Sequence, residues 1–514
     1  MTADSFIGFA ARSSLVSFDS GTRVAWIETV RGVSNVWAAA ASDGTPQRWT
    51  NFSAEAMELR GLRPMAGSGL VFNCAPLAST NPLHHTRAPG SSTWYVSAHS
   101  PPLLVSQNES LISTNEDGTA VLLVRPSGTG ESLWELQPPT QTRLHPEATL
   151  LFEVKQGSLG GFAWRPGSSV LAFANNRGSH GFVGLYARNG SSIKWVAPSA
   201  DTDAAPAWST DGDRLAWYRL MTPVGDAGYS PTDGDQGNRG PDYAVLVADV
   251  AWGGGGALSV GRAKVVYQES TYGLASFGYG QRPLAWTPDG ALLLGTERPA
   301  GWLHLARLDP SKPGSGAQVI RAGACEDRAW LVGAAGSPYA GWAFVSHNCD
   351  DIDSRGLEAL GVSATTLGQR HTLVRGDPFI VAGESGTTGE PGGGVALAGG
   401  DVYWLQAGWE SPAAVWRQTF ATVGSGGVEA QPSRQDPRPS TSASKLTSDA
   451  ISSPGWSPRL VRPTPVTFPS PDGAFTLHAQ LFTPHAPTGQ GVVYTHGGSE
   501  RQVRGMCGAG EWGV

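Results

Sequence analysis

A unit of four dozen residues or fewer recurs along most of this 514-residue chain. Each copy has an apolar or aromatic run, a Pro-Gly or Asp-Gly turn, an alternating strand, a loop, and a second strand with Trp or Tyr. The clearest copies are "FDSGTRVAWIETVRGVSNVWAAA" from Phe18, "FAWRPGSSVLAFANNRGSHGFVGLYAR" from Phe162, "PAWSTDGDRLAWYRL" from Pro206 and "LAWTPDGALLLGTERPAGWLHLARLD" from Leu284. The turns at Gly167 and Asp211-Gly212 lie 44 to 45 residues apart, and Asp289 lies 48 before Ser337. A spacing kept this often leaves few folds open.

Each copy reads as a β-hairpin. Asp bonds to backbone groups in the turn, Gly accepts positive φ, and the alternation that follows turns one face inward. Hairpins at this period, with aromatics and no helical pattern, predict propeller blades of about four strands. A β-sandwich is the competing fold, but it would not repeat the spacing so often. The reading is all-β, with seven or eight blades over residues 1–420. Trp26, Trp164, Trp208, Trp217 and Trp286 are read as one repeat position packing blade on blade, rather than as a carbohydrate platform. Two Gly-rich insertions, 224–242 and 375–394, are read as excursions over a rim, and 421–463 has the composition of a flexible linker.

Composition narrows the class. Gly (68) and Pro (37) favour turns over long helices, and 19 Trp argue against disorder. A net charge of −7 gives no basic footprint for nucleic acid or an anionic membrane, and no apolar run approaches the ~18 residues of a membrane span. The first residues lack a basic leader, so a soluble cytoplasmic protein is the expectation. Sequons at Asn51, Asn108 and Asn189 are short enough to arise by chance. Cys74, Cys325, Cys349 and Cys507 are too widely spaced for a disulfide framework or a metal knuckle.

Residues 464–514 break the pattern. "TPVTFPSPDGAFTLHAQLFTP" gives a hairpin, and "GVVYTHGG" an apolar strand running into His496-Gly497-Gly498. A strand delivering His-Gly-Gly into a loop is how α/β-hydrolases place half of an oxyanion hole, so Gly497 and Gly498 are the candidate oxyanion donors. Sixteen residues follow Gly498, and no G-x-S-x-G occurs in the chain. Ser499 has no glycine elbow and is not a nucleophile candidate. The segment is therefore expected to be an incomplete hydrolase start, whose exposed apolar strands a protease should cut while residues up to about 420 resist.

Together these motifs resemble the prolyl oligopeptidase family of serine peptidases. The Asp-Gly hairpins are similar to TolB-like propeller repeats. "VTFPSPDGAFTLHAQLFTP" looks like that family's first hydrolase hairpin, and "GVVYTHGGSERQ" like its third strand and oxyanion loop, with Ser499 where proline is usual. "DDIDSR" (350–355) resembles an acidic turn in late blades of the acylaminoacyl- and dipeptidyl-peptidase branches. The resemblance implies a propeller that caps a hydrolase domain and admits oligopeptides, with a Ser, Asp, His triad that this chain does not contain. It implies no cofactor, and a chain inactive by itself.

The other candidates have plainer readings. His347, Cys349, Asp350, Asp351 and Asp353 offer ligand chemistry, but Arg355 stands where a calcium loop needs oxygen, so a solvated acidic turn without metal is expected. His84-His85 is read as a surface loop. Two functions stay open: the substrate-gating part of a serine peptidase acting on oligopeptides, or a non-catalytic propeller binding a peptide or protein. Peptide specificity, exo- or endopeptidase mode and oligomeric state are not set by the sequence.

Overall fold

The computed structural model describes residues 10–41, 44–53, 57–76, 92–98, 100–107, 109, 111–138, 147–188, 192–221, 242–252, 258–270, 284–296, 303–323, 325–349, 354–375, 379–380, 394–408, 411–420, 443–447, 461–474 and 476–493. All regular structure among them is strand and turn. Up to Lys445 the described strands form six sheets, and a separate two-stranded sheet comes after them. Two of the six join neighbouring units through a parallel pairing (Val33 with Met57, Gly181 with Thr202), so that eight successive antiparallel units can be followed among the described residues. Their first strands are Ala10–Phe18, Met57–Met65, Leu111–Thr114, Ser158–Trp164, Thr202–Trp208, Ala285–Trp286, Asp327–Val332 and, in the eighth unit, Val395–Ala398. First strands of adjacent units pack on one another, as Ala10–Phe18 does on Met57–Met65 and Ser158–Trp164 on Thr202–Trp208. This places them at the centre of the ring, as in a β-propeller.

The core lies between units. In the fourth, Val170 and Ala172 face the fifth unit's Trp208, Leu215 and Trp217, while Leu171 and Phe173 face back to the third unit's Leu122, Leu133 and Phe152. Period-2 alternation therefore buries both faces, which is why second strands read as unbroken apolar runs such as "VLAF" and "LAWY". The same packing closes the ring. Leu15, Val24 and Trp26 of the first unit join Ala396, Ala398, Tyr403 and Leu405 of the eighth. Gly399 donates its N–H to Gly21 O at 2.7 Å, and a Cβ on Gly399 would meet that of Ala41 at 2.6 Å, so the closing contact needs a glycine.

The turns form as their residues dictate. Asp211 Oδ1 accepts the Ser209 hydroxyl and the Asp213 N–H, and Gly212 takes φ of 75°. Thr287, Asp289 and Gly290 repeat the arrangement. A second repeated device is not visible in the sequence. The first strands of units one, two, four and five shift register by one bulge at the same place, between Ser13 and Val16, Arg60 and Arg63, Gly160 and Ala163, and Ala204 and Ala207. Each bulge opens on a residue of positive φ: Ser14, Gly61, Gly161 and Ala205. Two are glycine, as this conformation favours, and two carry a Cβ.

The tryptophans occupy two repeat positions, not the one expected. Trp164, Trp208 and Trp286 end first strands, whereas Trp26 and Trp217 lie mid-way along second strands and are fully buried. Their role between units is as expected. The last unit also reaches past residue 420: Ser444–Lys445 pairs with Ala414–Thr419 as its outer strand.

Candidate functional site

Gly497, Gly498 and Ser499 lie outside the described residues, as do His84, His85, Cys507 and the carboxylates Asp350, Asp351 and Asp353. The hairpin leading to the His-Gly-Gly motif is described. Thr464–Pro469 pairs with Thr476–Leu481 around a Ser470-Asp472-Gly473 turn of the same design as the ring's. Phe468, Leu477, Leu481, Phe482, Val492 and Val493 are exposed.

The densest chemistry among the described residues lies elsewhere, at the seam between units six and seven. Asp327 opens the first strand of the seventh unit and pairs in register with His347, which ends the second strand, Trp342–His347. Arg321 enters from the preceding loop, donating through Nη1 to Glu358 Oε2 at 2.5 Å and through Nη2 to Asp327 Oδ1. Asp327 Oδ2 accepts the Leu305 N–H at 3.0 Å and lies 3.7 Å from His304 Nδ1. His304, Arg321, Asp327, His347, Arg355 and Glu358 are all buried.

Burial alone would raise the Asp327 carboxyl. The His304 ring, the Arg321 charge and the Leu305 N–H outweigh it and hold that carboxyl below its ordinary value. Burial, then Arg321, pushes His347 down to about 3. Its Nδ1 accepts the Cys349 N–H at 3.2 Å, so the neutral ring carries its proton on Nε2. Gly356 makes room for that ring, since a Cβ there would come within 2.9 Å of it.

Two expectations are corrected here. His347 and Arg355 do not sit in a solvated turn: both are buried, because the polar ends of these strands face a neighbouring unit rather than water. Cys325 and Cys349, 24 residues apart, form a disulfide, since the antiparallel pairing of Asp327 with His347 brings their flanking residues together. Sequence spacing says nothing of that register. In the sequence only His347 and Arg355 stand out, as parts of an acidic turn, and the ionisable Asp327 at the start of a strand is the signal that could have extended the cluster. Nothing in the pattern pointed to His304, Arg321 or Glu358.

Smaller ion pairs brace corresponding strand ends elsewhere. Arg12 with Glu28 and Asp203 with Arg219 are cross-strand partners in units one and five, both with Nε–carboxylate distances of 2.7 Å. Among the described residues no group of three His, Cys, Asp or Glu side chains is placed to hold a metal ion, and no helix is long and apolar enough to cross a membrane.

No protein-family model and no curated protein matches the sequence. Solved structures do match its fold. Puromycin hydrolase aligns at a TM-score of 0.50 and 14% identity, covering 93% of this chain and 59% of that one. A Mycobacterium tuberculosis puromycin-hydrolyzing peptidase aligns at 0.51 and 17%, covering 95% and 61%. Porphyromonas gingivalis dipeptidyl peptidase 4 aligns at 0.52 and 12%, covering 91% and 65%. This chain shares their fold over more than nine-tenths of its length and spans about three-fifths of theirs.

Proposed function

We propose that this chain is the propeller portion of a serine peptidase of the prolyl oligopeptidase type. In this reading the ring limits access to a hydrolase domain that begins near Thr464, and the substrates are oligopeptides. The observation that carries the proposal is the order of parts. A ring of units is followed by a hairpin with exposed apolar side chains, and then, in the sequence, by the motif Tyr494-Thr495-His496-Gly497-Gly498. Residues 491–493 just before it are exposed and not in a strand, and the motif itself lies outside the described residues. The shared fold of two peptidases supports the first part and the oxyanion-loop motif the second. The ring would run to about Thr447, followed by a connector and the hydrolase start at 464–514, with Gly497 or Gly498 offering a backbone N–H to an oxyanion.

A second reading is a propeller that binds a peptide or protein without chemistry. It is favoured by the lack of any Gly-x-Ser-x-Gly in these 514 residues. A cytoplasmic setting belongs to the proposal, and the Cys325–Cys349 disulfide weighs against it, because cytosolic thiols keep such pairs reduced.

Fluorophosphonate labelling of the protein from its native source separates the two readings. A labelled serine within a Gly-x-Ser-x-Gly sequence on the same polypeptide supports the peptidase. A native product that takes no label and carries no such sequence overturns it and leaves the binding module.

A further inference from the structure

The disulfide lies directly over the buried ion cluster, and the two are joined by consecutive contacts. Glu326 and Asn348, one step inward from the cysteines, bond reciprocally: the Glu326 N–H reaches Asn348 Oδ1 at 2.6 Å and the Asn348 N–H reaches Glu326 O at 3.3 Å. The next pair is Asp327 and His347. Asp327 also fastens the seam, its N–H donating to Leu303 O at 2.7 Å and its carboxylate accepting from Leu305. Arg321 then ties Asp327 to Glu358 on the third strand of the unit, Gly356–Gly361.

We propose that Cys325–Cys349 is a thiol–disulfide exchange site whose reduction loosens the seam between units six and seven. The co-reactant is a dithiol reductant, either a small dithiol or a redox protein. Cys325 is buried and Cys349 partly exposed, so the reductant's thiolate attacks Cys349 Sγ. The Cys325–Cys349 bond breaks and Cys325 leaves as a thiolate that takes a proton. The second thiol of the reductant then closes its own disulfide and releases Cys349 as a thiol. Two electrons pass to the protein, and the dithiol is oxidised.

The physical consequence follows from desolvation. Asp327, Glu358 and Arg321 are stable in the interior only while their geometry is held, whereas in water the same pairs contribute little. Opening the covalent tie lets the strand ends part, water reaches the charges, and the free-energy difference between the closed and locally opened seam shrinks. The seam between units six and seven keeps an apolar cluster of its own, in which Leu293 and Leu305 meet Ala343, Val345, Leu360 and Val362, so reduction loosens its ionic end without parting the units. The other seams are packed by separate clusters that this disulfide does not tie, so the change is local.

Hydrogen exchange read by mass spectrometry, with and without dithiothreitol, tests this on the whole chain. Reduction is expected to speed exchange about tenfold or more in Leu305–Leu308, Asp327–Val332 and Trp342–His347, and to leave Arg214–Leu220 unchanged. Cys349→Ser should show the fast pattern without reductant and no further response to it. If that variant does not fold, the reductant comparison on the native chain decides alone. Three results would overturn the proposal: both cysteines free to alkylation in air-exposed protein, unchanged exchange although alkylation shows both thiols released, or loss of protection equally in every unit, which would make the disulfide a structural staple.

Discussion

The indole N–H of Trp208 donates to the backbone carbonyl of Ala163 at 3.0 Å, from the first strand of one unit to the first strand of the unit before it. Trp286 makes the same bond to Ala207, and Trp164 to Thr114, both at 3.0 Å. Trp208 and Trp286 thus bond to the residue just before the strand-ending tryptophan of the preceding unit, and Trp164 to the residue that ends the preceding first strand, so the repeat spacing becomes a chain of bonds across units three to six. Replacing Trp208 by Phe keeps most of the apolar volume and leaves the Ala163 carbonyl unpaired at that seam. Urea unfolding should show a loss of about 1–3 kcal/mol. A change within experimental error would mean that water satisfies the carbonyl.

Arg321 bridges two buried carboxylates. Arg321→Met leaves Asp327 and Glu358 without their cation and should cost about 3–5 kcal/mol in the same measurement. Adding Asp327→Asn and Glu358→Gln removes the stranded charges and should restore a substantial part of the loss. Additive losses in the triple variant would contradict the cluster as described.

Acid should weaken the ring through His347. Its pKa is pushed down to about 3 in the folded chain, against an ordinary value near 6.5, so the unfolded chain binds the proton first as pH falls. Stability is then lost between about pH 6.5 and pH 3, with a slope of up to ~1.4 kcal/mol per pH unit from this group. Arg321, Asp327, Arg355 and Arg375 all act on that ring. Asp327, held below its ordinary value, has the same sign and adds to the loss below about pH 4. Unfolding midpoints across pH 5 to 7.5 should flatten in His347→Gln. Parallel profiles would remove His347 as the titrating group.

Ser14 and Ala205 adopt positive φ at bulges where two other units use glycine. Ser14→Gly and Ala205→Gly relieve the steric conflict but loosen the unfolded chain, so each should leave stability level or raise it by up to ~1 kcal/mol. Gly161→Ala should lower it, since φ is 59° and the new Cβ would meet Pro206 Cδ at 3.3 Å. Thermal midpoints of the three variants check the signs, and a stabilising Gly161→Ala would refute the account.

Most described residues of the hairpin Thr464–Leu481 are exposed and none is buried, whereas the second strands of the ring are buried on both faces. Limited proteolysis should cut the chain near this hairpin well before it cuts Arg23–Val30 or Val170–Asn176. Equal rates would show that the hairpin is covered in solution.

Much of the fold was legible because its signals are local. Asp211, Gly212, Asp289 and Gly290 announce turns that a few neighbouring atoms decide, and the alternating runs after them announce strands. The tryptophans were read correctly as joints between units but wrongly as one set. Trp208 and Trp217 are nine residues apart on adjacent strands, and only the register separates a strand end from a strand centre. The bulges at Ser14 and Ala205 carry no glycine and gave no sign.

By itself the sequence determined the repeating hairpin, the inward runs and the motif at His496, since each is a property of a few consecutive residues. Tertiary structure decided which ends meet. Arg12 donates to the carbonyl of Ala413, 401 residues away, because the ring closes there. Cys325 reaches Cys349, and Arg321 reaches Glu358, because antiparallel register and the seam between two units bring them together. Such pairings depend on where whole strands lie, and no short pattern of residues encodes that.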